Sequence, residues 1–84
     1  MSKMNIRIQL LSPLKEHAGA SELVLALQPP ATVAALLEKL AEEYPSLAPF
    51  LKNAQIIINQ QMVYKLHTVN DGDEVILFAP VFGG

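Results

Sequence analysis

Eighty-four residues fit one domain whose core forms with a thin margin. Leu, Ile, Val and Ala dominate and charges are few, which excludes a disordered chain; a net charge of −2 argues against nucleic acid as the main partner, because phosphate binding needs a basic surface. The lack of cysteine removes disulfides, thiolate nucleophiles and Cys-type zinc sites together.

No apolar run approaches the ~20 residues that span a bilayer. Met1-Ser2-Lys3-Met4-Asn5 leads straight into an alternating strand and not into the apolar stretch of a signal peptide, so a cytoplasmic chain with no membrane contact is expected. In that first strand, Asn5 to Leu11, Ile6, Ile8 and Leu10 alternate with Asn5, Arg7 and Gln9, the period of a half-buried strand. Leu11 breaks the pattern, placing an apolar side chain on the polar face. After Ser12-Pro13, Leu14 to Ala18 reads as a short helical turn closed by Gly19. Ser21 to Leu27 alternates again, with Leu23, Leu25 and Leu27 on one side and Glu22 on the other.

Gln28-Pro29-Pro30 ends the second strand, since proline cannot donate to a ladder. Thr32 is a good N-cap, and Val33, Leu36, Leu37, Leu40 and Tyr44 form one apolar stripe of a helix over 33–43. Glu38, Lys39, Glu42 and Glu43 fall on or near its wet side and read as a solvated face, not a site. Pro45 stops the helix. Ser46 to Asn53 is a second short segment with Leu47, Phe50 and Leu51 as plugs. Gln55 to Asn59 is a strand, Asn59-Gln60-Gln61 a turn, Met62 to Tyr64 a short return strand, and Thr68 to Asp73 a turn around Asp71-Gly72. Glu74 to Phe78 is the last strand, with Val75 and Leu77 toward the helix and Ile76 and Phe78 away from it.

One helix covers only one face of the resulting sheet. The first and last strands are the most apolar and belong together at its centre, with the first two strands as an antiparallel hairpin at one side. The expected class is α+β: a β-grasp, or ubiquitin-like, mixed sheet of about five strands with one main helix on one face. Residues 1–78 form the domain and 79–84 a flexible tail. On the uncovered face, Leu11, Ile76 and Phe78 point outward, and Met62 joins them from the return strand, a patch that reads as a partner surface at the root of the tail.

The tail is Ala79-Pro80-Val81-Phe82-Gly83-Gly84. Pro80 stiffens its start, and the two glycines carry a main-chain carboxylate past two positions without a side chain, slim enough for a narrow tunnel. No catalytic constellation, phosphate cradle or metal spacing stands elsewhere; His17 and His67 sit beside neither an acid pair nor a nucleophile motif. Chemistry on this chain therefore belongs at Gly84. An anionic carboxylate is a poor electrophile and needs activation, as an acyl-adenylate made by a separate ATP-using enzyme, before a sulfur or amine nucleophile replaces the adenylate.

At this point the chain resembles a known family. The stretch Leu10-Leu11-Ser12-Pro13-Leu14-Lys15-Glu16-His17-Ala18-Gly19, then Thr32-Val33-Ala34-Ala35-Leu36-Leu37, Asp71-Gly72-Asp73-Glu74-Val75 and Pro80-Val81-Phe82-Gly83-Gly84, are similar to the MoaD/ThiS-type ubiquitin-like sulfur carriers, most of all the small subunit of molybdopterin synthase. The resemblance implies that Gly84 is adenylated by an E1-like enzyme and becomes a thiocarboxylate, sulfur carried as 1-thioglycine, with Gly83 its slim neighbour. The tail then enters the large synthase subunit, which supplies the catalytic side chains, and sulfur passes to the pyranopterin precursor of the molybdenum cofactor. This chain would bind no cofactor itself; the ATP belongs to the activating enzyme. Leu11, Met62 and Phe78 fall where the family docks, and Ile76, Pro80, Val81 and Phe82 complete the expected partner-binding set. A monomer alone and a heterotetramer with the large subunit are implied.

Two departures stand out. Phe82 occupies a position where the family usually carries a small residue, and Asn59-Gln60-Gln61-Met62-Val63 resembles the related thiazole sulfur carrier, although the length and the Pro-Val-x-Gly-Gly ending favour the molybdopterin branch. Two other readings stay open: a ubiquitin-like modifier joined to lysines through Gly84, and a plain binding module with an incidental Gly-Gly end.

Overall fold

The structure, a computed structural model, describes residues 3–80. In chain order the elements are β1 (Met4–Leu10), α1 (Leu14–Ala18), β2 (Glu22–Leu27), β3 (Ala31–Thr32), α2 (Val33–Glu43), a 3₁₀ turn (Pro45–Leu47), α3 (Ala48–Leu51), β4 (Gln55–Ile58), β5 (Gln61–Val63), β6 (Thr68–Val69) and β7 (Glu74–Phe78). The main sheet runs β2-β1-β7-β4-β5. The β1–β7 pair is parallel, and the other neighbours are antiparallel. This is the mixed five-strand β-grasp expected from the alternation, with the first and last strands adjacent at the centre.

Burial follows the periodicities. Along β1, buried and exposed residues alternate without a break, and Ile6 and Ile8 are fully enclosed. Val75 and Leu77 of β7 and Leu23, Leu25 and Leu27 of β2 turn to the same side. Facing them, α2 inserts Val33, Leu36, Leu37 and Leu40, the stripe set by its 3.6-residue period. Thr32 caps this helix, its hydroxyl accepting from the Ala35 amide at 3.3 Å. Leu14, Leu47 and Leu51, from the short helical pieces, close the ends of the core. Among the described residues no polar side chain is buried.

The structure contains a short two-strand ladder that the sequence reading lacks. Thr68 and Val69, read as the start of a turn, form a two-residue ladder with Ala31 and Thr32. The turn itself narrows to Asn70–Asp73, where the Asn70 amide donates to the Asp73 carboxylate at 2.7 Å and Gly72 takes a positive φ of 86°. Two residues are too few to show a period, so this ladder has no sequence signature.

The loop after β1 is pinned locally. The Ser12 hydroxyl donates to Glu16 Oε1 at 2.7 Å, and this bond, foremost, holds the Glu16 carboxyl below its ordinary range, with help from a backbone hydrogen bond. A carboxyl lowered on folding stabilises the folded chain above the ordinary carboxylate range, and the contribution fades as pH falls through the lowered value. Ser12→Ala is expected to return the Glu16 midpoint upward in an NMR titration; an unchanged midpoint would disprove the role of the hydroxyl. Leu36 and Leu40 are fully buried, so replacing either with Ala is expected to cost ~2–5 kcal/mol in a urea unfolding experiment. A loss well under ~1 kcal/mol would contradict their place in the core.

Candidate functional site

Because α2 and α3 pack against one face of the sheet, the outward positions of the strands form a face with no helix over it. Register assigns its rows. Ile76 pairs with Gln9 on one side and Ile57 on the other, and Ile57 pairs with Met62. One step along, Phe78 pairs with Gln55, and the Leu11 amide donates to the Leu77 carbonyl at 3.0 Å, which carries Leu11 alongside Phe78. Leu11, Met62, Ile76 and Phe78 thus share one patch. Leu11 is 41% and Met62 48% exposed, while Ile57, Ile76 and Phe78 are half-buried.

Ile57 is the member that the sequence reading left out. In Ile56-Ile57-Ile58 every residue is apolar, so composition hides the alternation; strict period two still puts the central isoleucine opposite its neighbours, and their burial agrees.

The other half of the face is mostly charged and polar, with exposed Val24 beside Arg7. Arg7, Glu22, Asp73 and Glu74 line a shallow hollow of about 440 Å³, with Arg7 Nε at 3.5 Å from Glu22 Oε1. That ion pair is well exposed and contributes little. The apolar half lies at the C-terminal end of β7, where the chain leaves the sheet, and the polar half at its beginning.

The hairpin that carries Met62 is held in place. Asn59 and Gln60 both adopt positive φ, 51° and 72°, as the tight two-residue connection requires. The Asn59 side chain then bridges to the start of β7: Nδ2 donates to Asp73 Oδ1 at 3.1 Å and Oδ1 accepts from the Glu74 amide at 3.0 Å. This fastens β4 and β5 to β7 and keeps Met62 and Ile57 beside Ile76.

Ala79, first residue of the expected tail, packs into the core at 7% exposure, and Pro80 is half-buried. Val81, Phe82, Gly83 and Gly84 lie outside the described residues, so the expected reactive end is not placed. The two histidines stand apart from the face patch. His17 stacks on Phe50 with ring centroids 4.3 Å apart, and exposed His67 offers its carbonyl to the Val33 amide at 2.9 Å. Among the described residues no cluster of His, Asp or Glu is arranged to hold a metal, and no helix is long and apolar enough to cross a membrane.

The geometry can be set against known proteins. The model of the ThiS family matches residues 8–84. A molybdopterin synthase sulfur carrier subunit of Escherichia coli (strain K12) is 32% identical over 81 residues, 94% of this chain and 99% of that protein. Among solved structures, SAMP1 from Haloferax volcanii, a small archaeal modifier protein, superposes with a TM-score of 0.83 at 25% identity, covering 95% of this chain and 99% of that one. The complex of subunits 1 and 2 of the molybdopterin-converting factor from Helicobacter pylori contains a chain of the same fold, with a TM-score of 0.65 at 21% identity over 96% of this chain and 100% of that one. Matched from the first strand through Gly84 and built on the same β-grasp, the chain belongs to the ThiS family.

Proposed function

We propose that this chain is the sulfur-carrying small subunit of a molybdopterin synthase. The observation that carries the proposal is the likeness to the Escherichia coli carrier over 94% of the chain, together with an apolar patch at the root of the tail. In this reading the Gly84 carboxylate attacks the α-phosphate of ATP on an E1-like enzyme and pyrophosphate leaves. A sulfur nucleophile then displaces AMP, and the carboxylate becomes a thiocarboxylate. Leu11, Ile57, Met62, Ile76 and Phe78 dock on the large subunit, while Pro80, Val81, Phe82, Gly83 and Gly84 reach its active site. Sulfur passes to the pyranopterin precursor and water restores the carboxylate.

The dimensions suit the task. Six residues beyond Phe78 span at most about 20 Å when extended. Gly83 and Gly84 place no Cβ beside the reacting carbonyl. The Helicobacter pylori complex supports a large-subunit partner, and closure into a heterotetramer with that subunit completes the proposal. The chain acts as a donor and supplies no catalytic side chain of its own. In this reading the chain works in the cytoplasm, with ATP at hand for its activation.

A second reading has one observation in its favour, the fold shared with an archaeal modifier protein: conjugation to lysines through Gly84. The same adenylate serves both, and mass spectrometry separates them. Co-expression with the activating enzyme is expected to yield a chain heavier by one oxygen-to-sulfur exchange. Gly-Gly remnants on lysines of other proteins after chymotryptic cleavage behind Phe82, without that exchange, would move the assignment to a modifier. Deleting Gly84, or adding one residue after it, is expected to abolish cofactor synthesis, and undiminished complementation by either variant would sink the proposal. Phe78→Asp is expected to weaken binding of the large subunit by about tenfold or more and, because Phe78 is half-buried, to lower the unfolding midpoint modestly while the chain stays folded. Unweakened binding would remove Phe78 from the docking set.

A further inference from the structure

A second apolar surface lies on the helix side of the sheet, at its β5 edge. Core residues Leu37, Leu51, Ile56 and Val63 form the floor of an open hollow of about 460 Å³, and Tyr64 and Leu66 stand at its rim. Leu66 is 88% and Tyr64 78% exposed, the highest values of any large hydrophobic side chain among the described residues.

This exposure is built in. The Ala34 amide donates to the Lys65 carbonyl at 3.0 Å, the Val33 amide to the His67 carbonyl at 2.9 Å, and the His67 amide to the Tyr64 carbonyl at 2.9 Å. The loop is thereby fastened to the first turn of α2, which holds Leu66 out at the rim of the hollow.

Two further features say what fits there. Lys52 and Lys65 line the hollow and no carboxylate does, although the chain as a whole is acidic. Neither lysine is ion-paired among the described residues, where the pairs are Arg7–Glu22 and Lys39–Glu43. Alongside runs β5, the outer strand of the sheet, with one edge of its backbone unpaired. An apolar floor, two cations at the rim and a free strand edge together select an extended, apolar and acid-flanked segment.

We propose that this hollow is a second docking site, for an extended segment of a partner protein whose large apolar side chains are flanked by Asp or Glu. It lies on the other side of the sheet from the uncovered face.

The probe is the synthetic peptide Asp-Asp-Val-Phe-Val-Asp-Asp, titrated into the full-length chain and followed by backbone amide NMR. Shifts are expected to gather at Leu37, Lys52, Val63, Tyr64, Lys65 and Leu66. The double variant Lys52→Glu, Lys65→Glu is expected to weaken binding at least about fivefold, in keeping with the modest worth of exposed ion pairs. Leu66→Ser, at a position too exposed to support the core, is expected to weaken binding with the unfolding midpoint unchanged. Several results would overturn the proposal: no shifts at about 1 mM peptide, shifts centred on Ile57 and Phe78, or equal binding of a peptide with Lys in place of Asp. So would NOEs between Phe82 and Leu66 in the free chain, which give the hollow to the chain's own tail, or binding of phosphatidylserine vesicles without peptide binding, which gives it to a lipid surface.

Discussion

The parallel pairing of β1 with β7 is the constraint on which the rest of this molecule depends. Two strands from opposite ends of the chain lie side by side, with Ile8 next to Val75 and Leu10 next to Leu77. A tight turn cannot join parallel neighbours, so everything between them must serve as the crossover. That crossover contains α2, and it must cross on one face. One face is therefore filled and the other left open. Parallel direction has a second effect: the C-terminal ends of both strands point the same way, which brings Leu11 beside Phe78. Run antiparallel, the same strands would have set Leu11 against Glu74, and the apolar patch would have been divided.

From this follows a separation of duties across a single sheet. The helix-facing side chains carry stability; Ile6, Ile8, Leu25, Leu36, Leu40 and Leu77 are fully enclosed, with no buried polar group among the described residues to compensate. The opposite face contributes less to folding and is free to be graded, apolar toward the tail and charged at the far end. Asn59 links the two ends of this design. Its side chain spans from the β4–β5 hairpin to the start of β7, so a bond at the polar end sets the position of Met62 at the apolar end.

Much of this was legible in the chain. Alternation in Asn5–Leu11 and Glu74–Phe78 separated inward from outward residues, and the misplaced Leu11 marked the open face before any register was known. Ile57 was hidden because its neighbours share its chemistry, and the β3–β6 ladder because two residues carry no period. The hollow beneath Leu66 had no signal at all. Lys65-Leu66-His67 has no periodicity, and Lys52 comes from a different short segment; only folding brings them to one rim.

What the sequence determined by itself is which side of each element is apolar, because that depends only on local backbone geometry and on the residues in place. Tertiary structure decided which of those sides meet. Ile57 lies between Ile76 and Met62, and Lys52 joins Lys65, through pairings between residues far apart in the chain. Such neighbours are chosen by how the whole apolar surface can be buried against the entropy of closing the loops between them, a balance that no short stretch of sequence contains.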